Sequence, residues 1–281
     1  MQEVLSILEE FPMPAAAATS SIHKSLRMAP RPRAVLFDVY GTLVCSVLGD
    51  LDDQRRQSTS EDSFVQTANR FGFSRETGRL WHQLFFEAIA AEHEDMRQKG
   101  IGHAEVLVDR IWEAMITRAG GDPAVNRPRT LAAYREMIAN PVRPFAGVAE
   151  TLRRLRSMGL RLGIVSNSQF YTMPILARAL GIACEELFEA PFVFLSYRLG
   201  FAKPEPHFFR LVRTTLLAHG IGPEETLVVG NDEENDIQAA QIHGFQTVLF
   251  CGNEKSVRLS QGESRPRLIY NYESLLASLQ Y

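Results

Sequence analysis

The stretch AVLFDVYGTLV, Ala34–Val44, sets an unbroken apolar run against a single carboxylate, Asp38, with Tyr40, Gly41 and Thr42 close behind. Three further stretches carry groups with chemistry to offer. Ser166, Asn167 and Ser168 follow the apolar run RLGIV; Lys203 stands before a proline in RLGFAKPEPHFF; Asn231, Asp232, Glu233, Glu234, Asn235 and Asp236 follow TLVVG. A carboxylate such as Asp38 can attack an electrophile and form a covalent acyl intermediate that water later opens. Lys203 would offset the charge of a bound anion. The Ser166 hydroxyl, with backbone N–H groups at a helix start, can hold phosphate oxygens. The acidic run suits Mg2+, which takes oxygen ligands, commonly one or two carboxylates plus the substrate. Such a cation would screen Asp38 from an anionic substrate and polarise the phosphoryl oxygen.

These residues are useful only if the fold gathers them. Short β-branched or aromatic runs bounded by turn residues predict strands at 34–38, 161–166, 192–196, 226–230 and 246–250. Helical spacing lies between them. Val148, Leu152 and Leu155 share a face in residues 147–159, which end at a glycine suited to a C-cap. Phe208, Leu211, Val212 and Leu216 do the same in 205–220, and 234–244 repeats the form. Alternating strands and helices mean an α/β fold, a doubly wound, Rossmann-like parallel sheet covered on both faces. Ligands of such sheets bind beyond the carboxyl ends of the strands, which is where each of the four stretches falls.

The first strand stands far upstream of the others. The intervening chain has a helical period, with helices expected at 61–72, 76–100, 104–120 and 129–139. The expected organisation is therefore an N-terminal extension (1–32), a core built from 33–46 and 141–281, and a helical cap (47–140) inserted after the first strand. Within the extension, VLSILEEF suits a short amphipathic helix and APRPR an extended lead-in.

In the order FDVYGTL, VSNS, GFAKPEPHFF and VGNDEENDI, the chain resembles the haloacid dehalogenase superfamily of hydrolases over roughly residues 33–46 and 141–255. The resemblance implies that Asp38 is the nucleophile, that Ser166 holds the transferred group and that Lys203 steadies nucleophile and substrate. Thr42 and Asn167 are the candidate substrate contacts beside them. The implied Mg2+ ligands are Asp38, the backbone carbonyl of Tyr40, Asn231, Asp232 and Asp236, and the helical insertion matches the family's cap.

Two positions depart from the family pattern. Phosphatases of the family carry a second Asp two residues after the nucleophile as general acid, where this chain has Tyr40. A phenol, with an ordinary pKa of about 10, is a poor proton donor near neutrality. The family's 2-haloacid dehalogenases, whose halide leaving group needs no proton, resemble the chain at this point. The first metal-binding Asp falls on Asn231, a neutral and weaker ligand, with Asp232 adjacent. Other dehalogenase features are missing. Their tyrosine six residues past the lysine is Phe209, and only Arg55 and Arg56 stand where a halide-binding arginine belongs. Three readings follow: a Mg2+-dependent phosphatase of small phosphorylated metabolites, a metal-free 2-haloacid dehalogenase, or a degenerate member that binds a ligand without turning it over.

Composition narrows the alternatives. A net charge of -3 gives no electrostatic footprint for nucleic acid or an anionic membrane. Cys45, Cys184 and Cys251 are too scattered for a disulfide framework or zinc knuckle, and favour a reducing, cytoplasmic setting. No apolar stretch is long enough to span a bilayer. The first residues carry Glu3, Glu9 and Glu10 in place of a secretory signal's basic start. The expected partner is a small-molecule substrate, and the expected assembly a monomer or homodimer.

Taken singly, Asp38 reads as a turn cap, Ser166 and Asn167 as an Asx or N-cap turn, and Glu233 and Glu234 as the acidic start of a helix. It is their concurrence at strand ends that favours chemistry. His82, His93 and His103 lack the i,i+4 pairing of helix metal sites, and Trp81, Phe85, Phe86 and Trp112 read as helix-packing residues, one or two of which could line a substrate cleft.

Overall fold

The computed structural model describes residues 1–46, 53–261 and 265–280, without the side chains of 53–59. Helix α1 (Gln2–Glu9) opens the chain. Strands β1 (Ala34–Phe37) and β2 (Val44–Ser46) follow, then helices α2 (Asp53–Arg70), α3 (Arg75–Gln98), α4 (Val108–Arg118), α5 (Pro123–Asn126) and α6 (Pro128–Ala139). Next come β3 (Val142–Pro144), α7 (Val148–Ser157), β4 (Arg161–Ser166), α8 (Thr172–Leu180), α9 (Cys184–Leu187), β5 (Val193–Leu195), α10 (Ser196–Leu199) and α11 (Pro206–Ala218). The chain closes with β6 (Thr226–Gly230), a π-helical turn (Glu233–Gln238), α12 (Ala239–Gln241), β7 (Gln246–Phe250), β8 (Leu268–Ile269) and α13 (Tyr272–Leu279). Two compact units result: Met1–Met13 with Ser46–Val142, and Pro14–Cys45 with Arg143–Tyr281.

The first unit is helical. Ser74 caps α3 by accepting from the Thr77 N–H, which satisfies one of the orphan donors of its first turn. Aromatic side chains fill the space between α2, α3 and α4. Trp112 lies 5.6 Å from Phe64 and 5.4 Å from Trp81, ring centre to ring centre. Phe85 sits 5.2 Å from Phe64, while Phe86 stays exposed. Trp81, Phe85 and Trp112 therefore pack the helices. His82 lies edge-on to Phe64 and Phe86, and no cluster of metal-binding side chains occurs among the described residues.

Helix α1 belongs to this unit. Its apolar face buries Val4, Ile7 and Leu8, Phe11 lies 5.3 Å from the Tyr134 ring, and Glu3 and Glu10 pair with Arg127 and Arg70 at 3.4 and 2.8 Å. The extension expected at 1–32 is thus divided, with residues 1–13 in the helical unit and 14–32 in the other. The amphipathic pattern marks a face to be buried but carries no information on what covers it.

The second unit holds a six-stranded sheet in the order β5-β4-β1-β6-β7-β8, all parallel and doubly wound. Strand β1 is central and every one of its residues is fully buried, which explains a continuous apolar run in place of alternation. The chain leaves β1 toward β4 and β5, then returns to its other side for β6 and β7. Strand order therefore reverses around β1, and the crevice beyond its carboxyl end is the ligand position of this architecture. One face of the sheet is covered by Phe192, Phe208, Phe209, Val212 and Leu216. Phe209 lies in that core, with its ring 5.6 Å from Phe208 and 5.8 Å from Phe245, and offers no polar atom to a ligand.

Helices α8 and α13 and strands β2, β3 and β8 are not among the elements expected from the sequence. Strands β2 and β3 pair as a separate two-stranded sheet. Helix α13 binds the extended segment 20–26 through side chains spaced along one face. Asn271 donates to the carbonyls of Ser20 and Ile22, both at 2.9 Å, while Ser274 and Ser278 accept from the Lys24 and Leu26 N–H groups at 3.1 and 2.8 Å.

The packing makes one position intolerant. A Cβ on Gly163, in the middle of β4, would lie 2.4 Å from the Phe192 carbonyl oxygen and 2.6 Å from a Leu36 methyl carbon. Backbone cannot step aside as a side-chain tip can. Gly163→Ala is expected to cost about 1–3 kcal/mol in urea denaturation, and wild-type stability would show that the sheet gives way there.

Candidate active site

The register of the sheet brings the strand ends together. Phe37 pairs with Ile164 on one side and Val229 on the other, so Asp38 leaves β1 between the ends of β4 and β6. The Asp38 N–H still donates to the Val229 carbonyl at 2.9 Å. The chain then turns sharply: the Val39 carbonyl accepts from Leu43 and Val44 N–H at 2.8 and 3.0 Å, and Gly41 takes φ +90°. A side chain at Gly41 would also collide with Asn231, whose amide nitrogen would lie 2.2 Å from the added carbon. Glycine is needed here for both conformation and space.

Lys203 arrives from the loop before α11 and is almost wholly buried. Its ammonium donates to Asp38 Oδ1 at 2.9 Å, to the Val165 carbonyl at 2.8 Å and to Asp236 Oδ1 at 2.5 Å. All three hydrogens are used. Asn167 fixes the lysine's backbone, donating from Nδ2 to the Lys203 carbonyl at 2.9 Å and accepting the Lys203 N–H on Oδ1 at 2.7 Å. The side chain expected to touch substrate thus spends its amide on the lysine.

Two carboxylates share one ammonium in a buried place. Burial alone pulls Lys203 down, yet the Asp236 and Asp38 carboxylates outweigh it and hold the ammonium above its ordinary range. The excess negative charge falls on Asp236, where burial, opposed by Lys203 and reinforced by Asp38, pushes the carboxyl up to about 6. Folding therefore tightens proton binding at Asp236 relative to the ordinary value of 3.8. Its contribution to stability is full below that value and is lost as pH rises through about 6. The Tm of the wild type, measured against Asp236→Asn, is expected to decline between pH 4 and 7; a flat difference would contradict a raised carboxyl.

Ser166 ends β4 one strand position beyond the Asp38 level. Its hydroxyl is fully buried and has no hydrogen-bond partner among the described residues. Buried hydroxyls normally find one, so an oxygen waiting at a strand end points to a ligand. The Thr42 hydroxyl lies 3.5 Å from Asp38 Oδ2 and 3.3 Å from Asn231 Oδ1, and so ties the Asp38 carboxylate and the Asn231 amide together. Tyr40 turns its phenol to Thr172 at the start of α8, with the two hydroxyl oxygens 3.1 Å apart.

The acidic run divides by role. Asp232 caps the π-helical turn, with Oδ1 accepting from the Glu234 and Asn235 N–H groups at 3.1 and 2.9 Å and Oδ2 from the Asn235 amide at 2.8 Å. Asp236 is committed to Lys203 and to the Asp232 N–H, and Glu233 accepts from the Ser260 N–H at 2.9 Å. Asn231 donates from Nδ2 to the Ser256 carbonyl at 2.5 Å, which leaves Oδ1 on the side of Thr42 and Asp38. Among the described residues no three acids, histidines or cysteines converge on one point. The oxygens at hand are Asp38 Oδ2 and Asn231 Oδ1. Because Mg2+ is commonly held by one or two carboxylates with substrate phosphate completing the shell, this set fits a cation shared with a bound phosphate and not one caged by protein alone. Arg55 and Arg56 lie outside the residues whose side chains are described.

Sequence reasoning missed three participants. Thr172 holds Tyr40, the Ser256 carbonyl holds Asn231, and the buried Tyr272 hydroxyl donates to the main-chain carbonyl of Thr42. Burial, with the charge of Asp38 and the Cys45 thiol nearby, holds the Tyr272 phenol well above its ordinary range, so it remains a donor. Backbone partners leave no signature in residue type, and only Tyr272's apolar surroundings could have marked it as buried.

A Rossmann-like sheet with a carboxylate, an ammonium and a hydroxyl gathered at its switch point defines a hydrolase that works from the edge of a parallel sheet. The chain belongs to the haloacid dehalogenase-like hydrolase family, whose model matches residues 32–244, and it is an enzyme of that class. It is 29% identical over 162 residues to a phosphoserine phosphatase of Thermus thermophilus, a match spanning 57% of this chain and 59%, less than two thirds, of that protein. It is 27% identical over 220 residues to a glyceraldehyde 3-phosphate phosphatase of Methanopyrus kandleri, covering 77% of this chain and 82% of the relative. A 2-haloacid dehalogenase from Pseudomonas syringae pv. Tomato has the same fold, with a TM-score of 0.55 at 20% identity over 88% of this chain and 98% of its own. No helix among the described residues is long and apolar enough to cross a membrane.

Proposed function

We propose that the chain is a phosphatase of small phosphorylated metabolites that uses Asp38 as its nucleophile. The observation that carries this reading is the buried, unpartnered Ser166 hydroxyl beside a carboxylate held by Lys203 through one oxygen only. Phosphatase activity in sequence relatives supports it. Asp38 Oδ2 attacks phosphorus; the new O–P bond forms as the bond to the leaving oxygen breaks, and that oxygen departs with the electron pair. Water then attacks the aspartyl phosphate, releases inorganic phosphate and restores the carboxylate. Lys203 holds Oδ1 and fixes the angle of approach. Ser166 donates to a phosphoryl oxygen. A Mg2+ held by Asp38, the Tyr40 carbonyl and Asn231 would supply charge neutralisation and Lewis-acid polarisation of the phosphate. With the Tyr40 phenol engaged by Thr172, the preferred leaving groups are those that depart without a proton, such as aryl or acyl oxygens.

The test is hydrolysis of 4-nitrophenyl phosphate with Mg2+ and with a chelator. Turnover that needs the cation is expected; no release of nitrophenol under either condition would refute the reading. Tyr40 and the lack of a three-acid cluster among the described residues favour metal-free 2-haloacid dehalogenation as a second reading. Chloride release from 2-chloropropionate in chelator would establish it.

A further inference from the structure

We propose that Tyr272, on the C-terminal helix α13, is a positioning residue for the nucleophile loop. The inference rests on the reading of Asp38 as the nucleophile. Residues 38–44 bend through a turn whose internal hydrogen bonds use the Val39 and Val44 carbonyls. The Thr42 carbonyl points elsewhere and accepts from the Tyr272 hydroxyl. Thr42 itself is fully buried, and its own hydroxyl reaches both Asp38 Oδ2 and Asn231 Oδ1. One chain of contacts therefore runs from α13 through the backbone of Thr42 to the carboxylate oxygen that attacks.

Tyr272 is itself set firmly. Its ring is buried and lies 4.9 Å from Phe250 at the end of β7. The opposite side of α13 is held by segment 20–26 through Asn271, Ser274 and Ser278. The helix thus has two kinds of work on it: serine and asparagine bind the N-terminal segment, and the tyrosine reaches the site. Tyr272 lies beyond the matched family region, which ends at residue 244. A phenylalanine would keep the ring and its packing while leaving the buried Thr42 carbonyl unpaired. The loop would relax to repair that loss, and small misplacements of a reacting group carry large rate penalties.

The experiment compares wild type, Tyr272→Phe and the double variant Ser274→Ala/Ser278→Ala, assayed with 4-nitrophenyl phosphate well below each Tm. Tyr272→Phe is expected to lower kcat about 10–100-fold with KM nearly unchanged, and to speed hydrogen exchange at the amides of residues 42–44. The serine variant, which loosens the other side of the helix, is expected to lower Tm while keeping wild-type kcat. Unchanged kcat in Tyr272→Phe, or an equal loss in the serine variant, would overturn the proposal by reducing Tyr272 to general support. If the wild type hydrolyses no aryl phosphate, the phosphatase reading falls, and the exchange comparison decides the positioning role: unaltered exchange rejects it and faster exchange upholds it.

Discussion

Asp38→Asn is expected to lower kcat for an aryl phosphate by on the order of 10³-fold or more while leaving the fold intact. The substitution is nearly isosteric. The asparagine oxygen can still accept the Lys203 hydrogen bond that Asp38 Oδ1 now accepts at 2.9 Å. What disappears is the charge and the nucleophilic oxygen. Stability should not suffer, because two buried carboxylates presently share one ammonium. Removing one leaves Lys203 and Asp236 as a balanced pair and relieves the Asp38 repulsion that adds to burial in raising Asp236. The expected result is an inactive protein with a Tm equal to or above that of the wild type. Retained turnover would remove Asp38 from the chemistry, and loss of turnover together with loss of folding would make it a structural residue.

Lys203→Met is expected to be the most damaging single change to stability. Methionine matches the length of the stem but removes the ammonium from between Asp38, Asp236 and the Val165 carbonyl. Removing one partner of a buried ion pair typically costs about 3–5 kcal/mol, because the remaining charge stays out of water without compensation. Here two like charges remain. At neutral pH the Tm should fall by about 6–20 °C. The sign of the pH effect follows from the same geometry. Without Lys203 the Asp236 carboxyl loses the charge that opposes the effect of its burial, so acidification neutralises it and should shrink the deficit. A Tm within a degree or two of wild type at pH 7 would show that the lysine is dispensable to the fold and that water reaches the pair.

Much of this site could be read before any coordinates. The strand ends are visible because a parallel strand buried on both faces is an unbroken apolar run, and the first polar residue after it marks the edge. Asp38, Ser166 and the Asn231–Asp236 run were placed by that rule alone. Lys203 follows the strand expected at 192–196 and was brought to the same edge by that rule, although helix α10 intervenes in the structure. The acidic run shows the limit of the method. Asp232, Glu233 and Asp236 look equivalent as residue types, yet one caps a turn, one holds a neighbouring loop and one pairs with lysine.

By itself the sequence determined which groups reach the edge of the sheet: a carboxylate, a hydroxyl, an ammonium, and an amide where an acid was expected. Their places follow from periodicity, since burial and strand period are local properties of the chain; that an acid was expected at Asn231 follows from the family resemblance alone. The tertiary structure alone decided what each group does when it arrives. It turned Asp232 into a cap, Asn167 into a clamp on the lysine backbone, and Asn231 toward Thr42 through a hydrogen bond to the Ser256 carbonyl. It brought the Tyr272 hydroxyl to the Thr42 carbonyl, in the loop after Asp38, and divided the N-terminal extension between two units. The physical reason is common to all of them. Each depends on a hydrogen bond or apolar contact to a partner distant in the chain, often a backbone carbonyl, and such partners leave no trace in the type or spacing of the residues they hold.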